Sequence, residues 1–142
     1  MSITQLSVFL ENKLGRLNDV LAVLGEGGVN IRALSLADKA NYGILRLIVD
    51  DAPTAIEKLK KADIAVNSTA VVAAEIEDKP GGLLIAVRIL VENGVNVEYM
   101  YAFVEKSGGK AVVVFRVEDA EKAEEVLKAG KIKLFRDNKS SF

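Results

Sequence analysis

Apolar residues first recur at every second position: Leu6, Val8 and Leu10 are set off by Ser7, the period of a half-buried strand. Gly15 breaks that pattern, and Leu17, Val20, Leu21 and Leu24 follow at helical spacing until Gly27-Gly28 stops the run. Two β-rich stretches come next, 29–37 and 44–49. Asp51 then precedes a second helical face made by Ala52, Ala55, Ile56 and Leu59, and Ile64 begins a short closing strand. The pattern predicts the order βαββαβ.

The same order returns in the second half of the chain. Sliding the sequence on itself places Gly15 on Gly81, Leu17 on Leu83, Leu24 on Leu90, Glu26 on Glu92 and Gly28-Val29-Asn30 on Gly94-Val95-Asn96. A register two residues longer places Asp51-Ala52 on Asp119-Ala120, Ala55 on Ala123, Glu57 on Glu125, Leu59-Lys60 on Leu127-Lys128 and Ile64 on Ile132. The register changes between Asn30 and Asp51, where the second copy carries Lys106-Ser107-Gly108-Gly109-Lys110. Hairpin-turn chemistry there makes an insertion easy to accommodate. An internal repeat therefore decides the domain count: residues 1–68 and 69–136 form two units, and 137–142 form a polar tail.

A βαββαβ unit is a ferredoxin-like sandwich, with two helices on one face of an antiparallel sheet. The run 44–49 is apolar on both parities, with Leu45, Leu47 and Val49 on one face and Ile44 and Ile48 on the other, and 111–117 behaves likewise. The face away from the helices is therefore expected to be buried too, by packing between copies of the unit or between chains. Only Asn67 and Ser68 separate the strand expected to close the first unit from the one expected to open the second at Thr69 to Ile76. So short a connection predicts units held in a fixed relation.

Composition narrows the chemistry. Hydrophobic residues make up 50% of the 142, enough for a real core, and 19 basic residues against 20 acidic give a net charge of −1. That balance provides no footprint for nucleic acid or an anionic membrane. The absence of His and Cys excludes Ser-His-Asp and Cys-His machinery, disulfides and the common zinc sites. Catalysis would have to use carboxylates, Lys or Tyr, so the protein is expected not to be an enzyme and no cofactor or metal is implied. The N-terminus has no basic leader before an apolar run, and stretches such as Leu83–Val87 fall far short of the about 20 residues that cross a bilayer. The chain is expected to be soluble and cytoplasmic.

The turn from first strand to first helix is Glu11-Asn12-Lys13-Leu14-Gly15-Arg16-Leu17, mirrored by Glu77-Asp78-Lys79-Pro80-Gly81-Gly82-Leu83. Glycine permits close backbone approach to a ligand, and the free N–H groups of a first helical turn favour a carboxylate. Asn12 or Asp78 would accept from an ammonium group. Taken alone, the same turn reads as the start of a capped helix.

This pattern resembles the ACT domain, whose first strand ends in Asp/Asn-x-Pro-Gly-x-Leu and whose second strand opens with Gly-Val-Asn-Ile or a close variant. Here Asp78-Lys79-Pro80-Gly81-Gly82-Leu83 pairs with Gly94-Val95-Asn96-Val97, and Asn12-Lys13-Leu14-Gly15-Arg16-Leu17 with Gly28-Val29-Asn30-Ile31. The likeness covers Ile3 to about Phe135. It implies an α+β fold class, with two ferredoxin-like βαββαβ ACT units packed side by side. It also implies a stand-alone regulatory sensor that binds a free amino acid at interfaces between ACT units, forms a homodimer, signals by a change in packing, and has a separate metabolic enzyme as a possible partner. The ligand residues it implies are Asn12, Leu14, Gly15, Arg16, Asn30 and Ile31 in the first copy. In the second they are Asp78, Pro80, Gly81, Gly82, Asn96 and Val97. The first copy departs from the pattern at Leu14, where Pro is usual, so the two sites are not expected to be equal. The alternative is a ligand-free module that oligomerises or docks an enzyme.

Three other constellations have plainer readings. Asp50-Asp51 and Glu118-Asp119 precede helices, where carboxylates cap the backbone and complement the dipole rather than bind a metal. Tyr99, Tyr101 and Phe103 share one strand face, but the third strands carry no RNA-recognition sequence, so packing is expected. Ser107-Gly108-Gly109-Lys110 lies between strands without phosphate-loop spacing and is expected to be a turn.

Overall fold

Alternation at Leu6, Val8 and Leu10 becomes strand β1 (Ile3–Glu11), and the helical spacing after Gly15 becomes α1 (Arg16–Glu26). There follow β2 (Ile31–Lys39), β3 (Tyr42–Val49), α2 (Ala52–Lys61), β4 (Val66–Glu77), α3 (Gly82–Glu92), β5 (Val97–Val104), β6 (Lys110–Val117), α4 (Ala120–Ala129) and β7 (Lys133–Phe135). These elements are those of a computed structural model, which describes residues 3–39, 41–104 and 109–138. The segment Lys106-Ser107-Gly108, expected as a turn, lies outside the described residues, as does the tail beyond Asn138. The chain divides into a first unit, Thr4–Thr69, and a second from Ala70 onward. Each is a ferredoxin-like βαββαβ unit.

In the first unit β3 lies between β1 and β2, antiparallel to both, and its register sets Leu6 opposite Leu47 and Val8 opposite Leu45. Directly paired residues share a face. These four, with Leu10 and Val49, meet Val20 and Leu24 of α1 and Ala55 and Leu59 of α2 in one core. The second unit repeats this with β6 between β4 and β5, and β7 on the other side of β4. Its core joins Val72, Ala74 and Ile76 to Val113 and Phe115, covered by Ala86, Leu90, Ala123 and Leu127. On the face away from the helices Ile48, Val112 and Val114 are fully buried and Ile44 is half-buried, while Phe9, paired with Ile44, is 47% exposed. Tyr99, Tyr101 and Phe103 lie on that face, in register with Arg116, Val114 and Val112, and are themselves half-buried.

One expected break between strands is absent. Asn67 and Ser68 do not separate two strands, because β4 runs unbroken through them. Neither residue imposes a turn, there is no Gly or Pro nearby, and the flanking Val66, Thr69, Val71 and Val72 favour extended backbone. The carboxylates expected to cap do so: Asp51 Oδ1 accepts from Thr54 N at 3.1 Å, and Asp119 Oδ1 accepts from Lys122 N at 3.1 Å. Asp50 has a different role, accepting from Asn30 N at 2.9 Å while its own N–H donates to Asn30 O at 3.0 Å. This exchange ties the start of β2 to the end of β3.

Candidate functional site

The strand-to-helix turn has the same backbone in both units. Arg16 N donates to Lys13 O at 3.3 Å, and Gly82 N to Lys79 O at 3.0 Å, closing four-residue turns. Their third residues are Gly15 (φ 90, ψ −10) and Gly81 (φ 81, ψ −3), the geometry of a type II turn. That turn explains the family sequence: glycine is needed for positive φ, and proline at the second position presets the other angle. Crowding is not the reason for glycine here, since a Cβ at Gly15 or Gly81 would meet nothing within 4 Å. Leu14 occupies the proline position in the first unit and is fully exposed. Leu14→Pro is therefore expected to stabilise the protein by about 0.4–1 kcal/mol through the unfolded chain. A melting temperature higher by about 2–4 °C would report it, and a fall would show that the two turns are not equivalent.

The helix starts differ in a way that bears on ligand binding. Asp51 and Asp119 cap α2 and α4, whereas Gly15 and Gly81 stand at the N-caps of α1 and α3 with no side-chain hydrogen bond. Neither Asn12 nor Asp78 performs the expected capping. Their backbone N–H groups donate instead to hairpin carbonyls, Asn12 N to Asn41 O at 3.2 Å and Asp78 N to Gly109 O at 2.8 Å. Arg16 N and Gly82 N are engaged in the turns, so it is the next amides of each first turn, those of Leu17 and Asn18 and of Leu83 and Leu84, that stand without a side-chain cap at the positive end of the helix dipole.

In the first unit the turn forms one wall of a cleft of about 130 Å³. Asn12 and Arg16 line it, with Glu11, Lys13 and Leu17. The opposite wall, from the β2–β3 hairpin, includes Leu36, Asp38 and Tyr42. Pairing of β1 with β3 sets Glu11 opposite Tyr42 and so brings the hairpin to the turn. The sequence reading missed these hairpin residues, because only strand register makes positions so far apart neighbours. The spaced Leu34, Leu36 and Asp38 were the available signal. Lys13 Nζ lies 2.9 Å from Glu11 Oε2, and Lys79 Nζ lies 2.7 Å from Glu77 Oε2. Hydrogen bonding to Lys13, then the charges of Lys13 and Arg16, hold Glu11 below the usual carboxylate range. Lys79 acts on Glu77 in the same way, with Lys110 adding to it.

The predicted residues are only partly gathered. Leu14 and Gly15 do not line the cleft. Asn30 and Ile31 follow the far end of α1, whose 11 residues separate them from the turn by about 16 Å. Asn30 is exposed there, and Ile31 packs against the core. In the second unit Asn96 is exposed and Val97 packs on the core, again beyond the far end of the helix. Gly82 is buried, and Asp78, Pro80 and Gly81 are exposed.

Among the described residues no group of three or more acidic side chains is placed to hold a metal, and no helix is long and apolar enough to cross a membrane. The family model of the ACT domain pair matches residues 1–141. This chain belongs to the ACT-domain family. Among solved structures this ACT pair is similar to protein BT0572 from Bacteroides thetaiotaomicron, with 43% identity over 95% of this chain and 92% of that one and a TM-score of 0.90. The ligand-free regulatory subunit of aspartate kinase from Thermus thermophilus shares the fold at 19% identity, with 90% and 89% coverage and a TM-score of 0.66. The corresponding subunit from Thermus flavus does so at 15%, with 90% and 92% coverage and a TM-score of 0.63. A comparison with curated proteins returned no match.

Proposed function

We propose that this ACT pair is a non-catalytic regulatory sensor that binds a free amino acid at the β1–α1 turn of its first unit. The observation that carries the reading is the contrast between helix starts: α2 and α4 are capped by Asp, while α1 opens without a cap beside a cleft that Asn12 and Arg16 line together. The ligand carboxylate sits at the first turn of α1 near Arg16, and its ammonium is held by Asn12 and Asp38. Leu17, Leu36 and Tyr42 receive the side chain. A volume of about 130 Å³ is close to the roughly 150 Å³ that accommodates benzene, so a small amino acid is preferred.

Asn30 and Ile31 lie too far from the turn of their own unit to touch the same ligand, so they complete a site contributed by another copy of the chain in a homodimer. Strand β2 suits that pairing, because it has β3 on one side and leaves Leu34 and Leu36 half-exposed. Ligand then acts by favouring one packing of the subunits over another, which requires unequal affinity for the two.

A panel of free amino acids in a thermal-shift assay tests the reading. One small amino acid at about 100 times its Kd is expected to add about 2.7 kcal/mol of stability, and Arg16→Ala to abolish the shift. If no amino acid moves the melting temperature of the folded protein, the alternative takes over. That alternative is a ligand-free module that oligomerises or docks a separate enzyme, and it is favoured by the outward side of α3, where Leu84, Ile85 and Val91 are half or more exposed.

A further inference from the structure

Each unit carries a cleft between the start of its first helix and the segment that follows its second, and most of the residues that line one have counterparts lining the other. In the first unit it is lined by Phe9, Glu11, Arg16, Asp19 and Asp63, with Ile64 and Ala65 beside them. In the second unit Glu75, Glu77, Gly82, Ile85, Lys131 and Lys133, with Ile132, occupy the matching positions, and Lys110 joins them. The second cleft, of about 210 Å³, exists because β7 is short. Its three residues pair with β4 only at Ala73, Ala74 and Glu75, so among the described residues β7 does not reach Ile76 and Glu77. The first turn of α3 closes one end of the gap, and the loop after α4 closes the other.

The two clefts have diverged in charge. Asp63 in the first is Lys131 in the second, and Ala65 is Lys133. In the second unit Lys133 Nζ lies 3.9 Å from Glu75 Oε2, and Glu77 is shared by Lys79 at 2.7 Å and Lys110 at 3.7 Å. Lys131 forms no ion pair among the described residues. Lys110, Lys131 and Lys133 thus line the cleft against Glu75 and Glu77, an excess of one positive charge, while Lys79 draws on Glu77 from outside the lining. Gly82 and Ile85, from the uncapped first turn of α3, face the same space and add the positive end of the helix dipole. In the first unit the corresponding excess is negative, since Glu11, Asp19 and Asp63 outnumber Lys13 and Arg16.

Lys131 is also held at some conformational cost. It adopts φ 65 at the end of α4, as Asp63 adopts φ 58 at the end of α2, where the ends of α1 and α3 use Gly28 and Gly94. Left-handed backbone disfavours a side chain that glycine would omit. Both units keep a charged residue there, and each projects from the rim of its cleft.

We propose that the cleft formed by Lys110, Lys131, Lys133 and the first turn of α3 binds a small dianion, of the dicarboxylate or phosphate class. This site differs from the amino-acid cleft of the first unit and stands whether or not that cleft is occupied.

The test is a titration of the full chain with succinate and with inorganic phosphate at low ionic strength, followed by amide chemical shifts. Saturable shifts are expected at Glu75, Glu77, Gly82 and Lys131–Lys133, weakening as salt is added, with none at Asp63 or Ala65. Tighter binding of one probe identifies the source of the ligand. Lys131→Gly is the decisive variant, because glycine fits positive φ and the protein should melt no lower than wild type. Binding is nevertheless expected to weaken at least tenfold. Unchanged affinity in Lys131→Gly, shifts confined to the first unit, no saturation by either probe, or equal affinity for zwitterionic alanine would each overturn the proposal.

Discussion

Gly82→Ala is expected to destabilise the protein by about 3 kcal/mol or more, an effect at the upper end for a single added methyl group. Gly82 is the first residue of α3, and an ideal Cβ there would come far inside van der Waals contact with the Glu77 carbonyl oxygen. The obstacle is backbone rather than the end of a flexible side chain, so relief requires moving either the turn or the helix. Moving the turn stretches the hydrogen bond from Gly82 N to Lys79 O at 3.0 Å, and moving the helix disturbs Ala86 and Leu90 in the core. The matching position in the first unit is Arg16, which carries a long side chain in place. Arg16→Ala is therefore the control, expected to change stability by about 0.5 kcal/mol or less. Urea unfolding followed by circular dichroism measures both. A loss below about 1 kcal/mol for Gly82→Ala would mean that the approach of Glu77 is relaxed without cost.

Phe115→Ala is expected to cost about 3–5 kcal/mol. Among the described residues Phe115 is the largest fully buried side chain, and it lies in β6 in register with Val72 of β4 and Met100 of β5. It contacts the core formed with Ala86, Leu90, Ala123 and Leu127, so truncation leaves a cavity between sheet and helices. Those helix positions include two alanines, which are too short to move into the space. Met100 shares its face but is 43% exposed at the edge strand, and Met100→Ala is expected to cost about 1 kcal/mol. The difference in urea midpoint between the two variants checks the assignment of the core. Similar losses would place the core elsewhere on β6.

The strand and helix order was legible because it rests on local chemistry. Leu6, Val8 and Leu10 alternate in sequence and share the helix-facing side of β1, and Asp51 and Asp119 cap the helices they precede. The repeat was legible for the same reason, since Gly15 and Gly81 close the same type II turn. The continuous β4 was not legible. Asn67 and Ser68 look like a connection, and whether polar residues bend or extend depends on what the flanking strand pairs with. For the candidate site, Asn12 and Arg16 were readable from the turn, while Leu36, Asp38 and Tyr42 were not. Asn30 and Ile31 entered through family resemblance, and their distance from the turn became visible only when α1 had a length and a direction.

What the sequence determined by itself is the twofold βαββαβ plan and the Asp caps of α2 and α4, because each depends on residues within a few positions of one another. Tertiary structure alone decided three further things. Strand register carried the β2–β3 hairpin to the turn and made a cleft. The shortness of β7 opened a second cleft beside β4. The close approach of the Glu77 carbonyl made Gly82 obligatory where the first unit carries Arg16. Each comes from groups meeting across the sheet or between strand and helix, and no local period in the chain encodes such a meeting.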